Sequence, residues 1–208
     1  MDVQFYGANC VVLSTKQARL VIDDNLMELG GKTVAKEGDI AFFTGPHADP
    51  AQKAKLVIDQ PGEYEVAGIS IYGIGTRAHI DVENEKTATM YKIIADDVRV
   101  LVTGHIYPEL SDAQLETIGT IDIMLVPVGG NGYTLDAIGA LKLIKKVEPK
   151  VVIPTHYADP KLTFAVPQLS LEEALKALGM EPKETVPKFR FKSLEAGDTT
   201  QLIVVEKN

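Results

Sequence analysis

The chain has four histidines, His47, His79, His105 and His156. Each stands just past a run with strand character: 39–44, 69–74, 98–103 and 150–154 respectively. Ligands gather at the carboxyl ends of strands in open α/β sheets. Imidazole together with a carboxylate, here Asp49 two residues after His47, is a donor set that a borderline divalent metal accepts; zinc is the first candidate, with manganese or nickel behind it. An open position on such a metal activates water for hydrolysis, and Asp49 could orient that water or take its proton. The competing reading makes each histidine an ordinary polar loop residue. Taken one at a time, that reading leads. Taken as four histidines at four strand ends, the metal reading leads.

Two further features carry weaker signals. The run Gly129-Gly130-Asn131-Gly132-Tyr133-Thr134 leads into a helical pattern. Backbone N–H groups before a helix can hold an anion, so Gly129, Gly130, Asn131 and Tyr133 are candidate substrate contacts. No Gly-Lys-Ser/Thr follows, so this is not a P-loop, and a tight turn explains the run equally well. The single cysteine, Cys10, lies in Cys10-Val11-Val12-Leu13 and reads as a small buried apolar residue. One cysteine excludes a disulfide framework and a Cys-rich zinc module.

The elements that must position these residues change character along the chain. The first half is a series of short β-rich runs, 3–6, 10–14, 19–22, 39–44, 56–58, 64–66, 69–74, 87–94 and 98–103, separated by Gly, Asn, Asp or Lys as in a meander. The second half alternates helix with strand. Ser111 and Gln114 have capping-box spacing at the start of a short helix. The run 121–126 is apolar apart from Asp122 and reads as a strand buried on both faces. A helix over 135–147 shows Ile138, Leu141, Ile144 and Val147 as its apolar positions. Another helix, 171–178, stops at Gly179, and 189–191 and 201–205 are late strands. This order predicts an α/β sandwich with helices outside packed sheets.

Composition bounds the rest. At 208 residues, with 45% apolar and 24% charged residues, the chain is an ordinary globular domain, which excludes disorder, coiled coil and collagen. A net charge of −8 repels phosphate backbones, so no nucleic-acid partner is expected. No apolar run is long enough to span a membrane and the first residues show no leader pattern, so the sequence reads as a cytoplasmic protein with a small-molecule partner.

Several segments together resemble a known family. Asp39-Ile40-Ala41-Phe42-Phe43-Thr44-Gly45-Pro46-His47-Ala48-Asp49-Pro50 is similar to the strand and metal loop of metallo-β-lactamase-fold hydrolases, whose motif reads Thr-His-x-His-x-Asp-His. Gly62-Glu63-Tyr64-Glu65-Val66, Val126-Pro127-Val128-Gly129-Gly130 with Tyr133-Thr134, and Val151-Val152-Ile153-Pro154-Thr155-His156-Tyr157 resemble the small metal-dependent hydrolases that include the ascorbate-phosphate lactonase relatives. The resemblance runs from the first strands to about Tyr157. It implies one domain over 1–208, an αββα four-layer sandwich of two mixed sheets with helices outside, and a two-metal site at one edge.

The departures are as specific. Gly45 and Pro50 stand where the motif has His, so only His47 and Asp49 match it. His79 matches the later strand-end histidine, His156 matches the last one, and His105 stands where the family's bridging Asp is usual. The resemblance therefore implies a degenerate site. Either His47, Asp49, His79, His105 and His156 hold one metal and the protein is a weak hydrolase of a small anionic ester, lactone or phosphoester, or the chain binds no metal and is a non-catalytic binding module.

Overall fold

A computed structural model describes residues 1–47, 53–131, 134–191 and 199–208. Those residues build two mixed sheets. The first has the order β13-β1-β2-β3-β4-β5, from β1 (Asp2–Gly7), β2 (Cys10–Ser14), β3 (Arg19–Ile22), β4 (Ile40–Phe42), β5 (Leu56–Ile58) and β13 (Phe189–Arg190). The second has the order β12-β14-β11-β10-β9-β8-β7-β6, from β6 (Gly62–Val66), β7 (Ile69–Thr76), β8 (Ala88–Ala95), β9 (Val98–Val102), β10 (Ile123–Pro127), β11 (Val151–Thr155), β12 (Pro182–Val186) and β14 (Gln201–Val205). Each sheet is antiparallel in its meander part. Each turns parallel where the chain crosses over, at β3-β4-β5 and at β9-β10-β11-β14-β12.

Alternation decides which side chains meet. β1 buries every second residue, and Val3 and Phe5 point into the sandwich. They pack with Leu13, Leu20 and Phe42 of the same sheet against Ile71, Ile93, Leu125 and Ile153 of the other. Burying each such side chain contributes about 1.5–3 kcal/mol, and the same packing fixes the register of every strand. The reverse face of the larger sheet, with Met90, Leu101, Met124 and Val152, is covered by α1 (Asp112–Ile118), α2 (Ala137–Val147) and α3 (Leu171–Leu178). The reverse face of the smaller sheet carries Cys10, Val12 and Val21. It is closed by the 3₁₀ turn Leu26–Leu29 with Leu162 and Phe164. The two outer layers therefore differ: α-helices on one side, a turn and a strap of chain on the other.

Local sequence explains most of these elements. Ser111 and Ser170 both close capping boxes, with Gln114 and Glu173 reaching back. Cys10 is fully buried, as its neighbours imply. Asp122 is buried beside Arg99 and Lys150, which both pair with it.

One expectation shifts, and one strand lies where the sequence reading placed none. The helix over 135–147 begins at Ala137, with Asp136 as its N-cap. Its buried stripe is Ala140, Leu143, Ile144 and Val147, while Ile138 is 61% exposed. At about 100° per residue, nine residues put Ile138 on the side opposite Val147, so the two cannot share a face. Strand β12 carries no apolar run. It is an exposed edge strand of polar residues, held by its neighbour β14. Among the described residues no helix is long and apolar enough to cross a membrane.

Candidate functional site

Three strand ends and one hairpin turn are stitched together at the rim of the sandwich. The segments after β7 and β9 pair: the His79 N–H donates to the His105 carbonyl at 2.7 Å, and the Tyr107 N–H donates to the Arg77 carbonyl at 2.9 Å. The end of β11 docks on the β1–β2 turn, where the His156 N–H donates to the Ala8 carbonyl at 2.7 Å. Asn9, in that turn, links the two groups. Its Oδ1 accepts from Thr155 Oγ1 at 2.9 Å, and its Nδ2 lies 3.0 Å from His105 Nε2. His79, His105 and His156 thereby line one cavity of about 310 Å³, together with Asn9, Asp23, Glu28 and Gly45.

Close backbone approach makes this possible. A Cβ on Gly129 would stand 2.0 Å from the His156 carbonyl oxygen, and a Cβ on Gly104 would stand 2.3 Å from Thr44 Oγ1. Gly104 also has φ of 63°, a left-handed conformation that costs glycine little. His156 itself adopts φ of 53°, uncommon for a side chain with a Cβ. The strand end bends sharply there and turns the imidazole into the cleft.

Burial sets the charge of the site. It drives the His105 imidazole well below its ordinary range, and the neighbouring His156 and His79 push the same way. It also lowers His156 to about 4, against the opposing hydrogen bond between Nδ1 and Gln168 at 3.1 Å. Both rings are neutral at pH 7, the form that ligates metals. The rings of His105 and His156 meet edge to face, 4.2 Å between centroids. Asp23 moves the other way. Burial raises its carboxyl to about 6, although the Thr44 backbone N–H and hydroxyl both donate to it at 2.7 Å.

Two nitrogens stand out. Nδ1 of His79 and Nδ1 of His105 are buried and have no hydrogen-bond partner among the described residues. Buried polar atoms are normally paired, so an acceptor or a cation is called for at both. Exchanging O and N of the Asn9 amide keeps both of its contacts, since Thr155 Oγ1 and His105 Nε2 can each take either role. In that arrangement His105 Nε2 donates and its buried Nδ1 carries a bare lone pair.

The structure brings together His79, His105 and His156 of the expected residues. His47 is turned otherwise. Its ring stacks on Phe43 at 3.8 Å between centroids, and its Nε2 lies 3.2 Å from Asp59 Oδ2. It still lies close enough for its charge to favour the Asp23 carboxylate. Asp49 and Tyr133 lie outside the described residues. Gly129, Gly130 and Asn131 do not line the cavity. Gly129 makes room for His156, a Cβ on Gly130 would strike Asp136 at 2.5 Å, and Asn131 Nδ2 donates to the Pro167 carbonyl. The N-terminus of α2 already receives the Asp136 carboxylate, which accepts from the Gly139 N–H at 2.7 Å. Gly129 and Gly130 thus allow close packing, and the described start of α2 is capped by its own Asp136 carboxylate. Asn9 and Asp23 were not singled out from sequence. Both lie in turns after short strands of the smaller sheet, and only the pairing of the two sheets places them beside the histidines.

Residues 2–156 match the sequence profile of the beta-lactamase superfamily domain. The chain belongs to this superfamily. An Archaeoglobus fulgidus UPF0173 metal-dependent hydrolase is 34% identical over 93 residues, 45% of this chain and 39% of that protein. An Enterococcus faecalis protein of the same description is 26% identical over 161 residues, 77% of this chain and 60% of that protein. These matched stretches thus span less than two thirds of the curated relatives. A Thermotoga maritima structure, provisionally named a zinc-dependent hydrolase of the metallo-beta-lactamase superfamily, aligns over 100% of this chain and 99% of its own with a TM-score of 0.78 and 26% identity.

The metal named for these relatives can be tested against this superfamily member's own atoms. Among the described residues no group of three or more His, Cys, Asp or Glu is arranged so as to hold a metal ion. The donor chemistry nevertheless fits: two buried imidazoles are neutral and two Nδ1 atoms are unpartnered. The fit is that of one open site on the larger sheet.

Proposed function

We propose that this beta-lactamase superfamily member is a metal-dependent hydrolase whose site is remodelled around one divalent metal, zinc being the first candidate. The observation that carries this reading is the pair of unpartnered nitrogens, His79 Nδ1 and His105 Nδ1, in a cleft shared with His156. His79 and His105 would offer the metal their donor nitrogens, and His156 lines the same cleft. When bound, the metal supplies acidification of water near neutral pH.

The chain's own residues supply the rest. Asn9, itself held by Thr155, orients the His105 ring. Gln168 accepts from His156 Nδ1, which leaves Nε2 of that ring as its lone-pair nitrogen. Asp23 lines the same cleft with a carboxyl at about 6. A group titrating there both takes up and releases a proton near neutral pH, which is what a general base needs. Leu29, Ile80 and Ala88 form apolar wall and displace bulk water around the substrate.

The decisive measurement is metal content by mass spectrometry after purification with zinc, manganese or nickel, followed by turnover of nitrophenyl esters and lactones. About one metal per chain with turnover, both lost in His105→Ala, is expected. The absence of a closed three-ligand cluster favours a second reading, a metal-free binding module. Metal-free protein with no turnover after each metal is offered would establish that reading instead.

A further inference from the structure

A second cavity lies on the reverse face of the smaller sheet. Its volume is about 540 Å³, within the usual range for small-molecule sites. It shares the 3₁₀ turn with the histidine cleft: Leu26 lines this groove and Leu29 lines the cleft. Its basic residues are Arg19, Lys32, Lys36, Lys53 and Lys207, and among the described residues no Asp or Glu lines it. The chain has 29 acidic residues against 21 basic ones, so a wall of cations without a carboxylate runs against its composition.

Two buried carboxylates build this wall. Asp24 Oδ2 accepts from Thr33 Oγ1 and from the N–H groups of Val34 and Ala35, each at 2.7 Å. Asp39 accepts from the Lys36 N–H at 2.7 Å and pairs with Arg19, whose guanidinium also donates to the Val34 carbonyl. Both acids are therefore committed to the path of the loop 33–36 and hold it in place. Asp39 neutralises Arg19, and Asp159 neutralises Lys207. The ammonium groups of Lys32, Lys36 and Lys53 pair with no carboxylate among the described residues. Three uncompensated cations around one hollow make a local positive field on an acidic protein, and such a field draws in anions. The floor has a different character. Tyr6, Leu26, Val34 and Leu162 belong to the apolar cluster that closes this face. A bare phosphate would fill a small part of the hollow and leave that floor wet.

We propose that this groove binds a small organic phosphate that carries two or more negative charges and a flat apolar body. The phosphate lies toward Lys32, Lys36 and Lys53, and the body lies against Tyr6 and Leu162. Binding there does not depend on the hydrolase reading, because no residue lines both the groove and the histidine cleft.

Calorimetry on the full chain in buffer containing EDTA tests this with no divalent metal to bridge the ligand. The probes are ADP, inorganic pyrophosphate and adenosine. ADP is expected to bind at micromolar concentrations, with pyrophosphate about tenfold weaker and adenosine about a hundredfold weaker. Lys32 and Lys36 are exposed, so Lys32→Gln and Lys36→Gln fold. Each is expected to weaken ADP about fivefold, and the two together about thirtyfold. The paired change Lys145→Gln/Lys146→Gln, on exposed positions of α2 outside the groove, is expected to leave ADP binding unchanged. Leu162→Ala is expected to weaken ADP about threefold and to spare pyrophosphate, which also reports that the groove is intact. Absence of ADP binding overturns the proposal, as does an equal loss in the α2 variant, which would mark diffuse attraction to surface lysines. Pyrophosphate bound as tightly as ADP removes the role of the apolar floor and overturns it too.

Discussion

One wall of the cleft, at the ends of β7, β9 and β11, carries His79, His105 and His156. The other, after β4, carries Gly45 and Pro46, with His47 stacked on Phe43. Both walls are held firmly. Thr44 donates twice to Asp23 and accepts from the Thr89 N–H across the sheets, while His79 and His156 are fixed through their backbone N–H groups. The walls differ in what they offer a ligand. The larger sheet presents imidazole nitrogens, and the smaller sheet presents a carboxylate. Similar anchoring of the two walls thus goes with different chemistry: imidazoles face the cleft from the larger sheet, while His47 on the other wall stacks on Phe43.

The two walls should respond oppositely to acid in metal-free protein. Asp23 is raised to about 6 from an ordinary 3.8, first by burial. Its favourable contribution is fully present below pH 3.8 and is lost as pH rises through 6, about 3 kcal/mol in all. His156 is lowered to about 4 from 6.5, again by burial. Its contribution is present above pH 6.5 and is lost as pH falls through 4, again about 3 kcal/mol. Chemical denaturation between pH 4 and 6.5 should therefore show His156→Gln flattening the acid loss of stability and Asp23→Asn steepening it. Parallel curves for the two variants would mean the walls are not electrically distinct.

Removing a donor from the larger sheet is the next largest change. His105→Ala is expected to weaken zinc binding by more than about 100-fold, since losing an outer partner of a ligand alone can reach that. Calorimetry measures it, with His105→Gln as a second variant that keeps more of the volume. An unchanged affinity would move the metal off this wall.

Much of this wall was legible in the sequence, because strand-end histidines need only a correct strand assignment. His105 and His156 follow apolar runs that can hardly be anything but buried strands, and β9 and β11 are found there. The partners that make the site work were not legible. Asn9 reaches His105 across 96 positions of chain, and Asp23 reaches Thr44 across 21, so no local spacing signals either. Gly129 and Gly130 are ambiguous in sequence for a related reason. A glycine that admits a neighbouring carbonyl looks, in sequence, the same as a glycine that admits a phosphate. Ile138 was a matter of phase, since four apolar residues three apart drift around a helix instead of lining one face.

Asn9 offers a finer test of how the larger sheet tunes its donors. Asn9→Leu removes the amide that fixes the His105 ring, and an expected loss of about 10- to 100-fold in zinc affinity follows. The structural cost can be separated from the electronic one by nitrogen NMR of the imidazoles. In the wild type one His105 tautomer should dominate, and in Asn9→Leu the two should mix. Asn9→Gln or Asn9→Ser, which keep a polar group, should restore part of both. A loss of affinity with His105 tautomers unchanged would assign Asn9 to packing alone.

The smallest expected effect is a gain on the wall that has lost its ligands. Among the described residues a Cβ built on Gly45 meets nothing within 4 Å, and Gly45 lines the cavity. Its backbone is not in the left-handed region that would penalise a side chain. Gly45→His therefore adds an imidazole to the wall of the same cleft without displacing a described neighbour. The ring must give up rotamer freedom and some hydration to ligate, so only part of a metal–nitrogen bond shows as affinity. About a tenfold tightening of zinc is expected, equivalent to about 1.4 kcal/mol. Pro50→His would add a second imidazole at a position outside the described residues, and the double variant should tighten zinc further. Calorimetry on the single and double variants distinguishes two histories of the smaller-sheet wall. A gain means that only side chains were lost and the loop still follows the path of a metal loop. No gain in either variant means that the loop itself has moved away from the metal, and the likeness of the two walls ends at the backbone of Thr44.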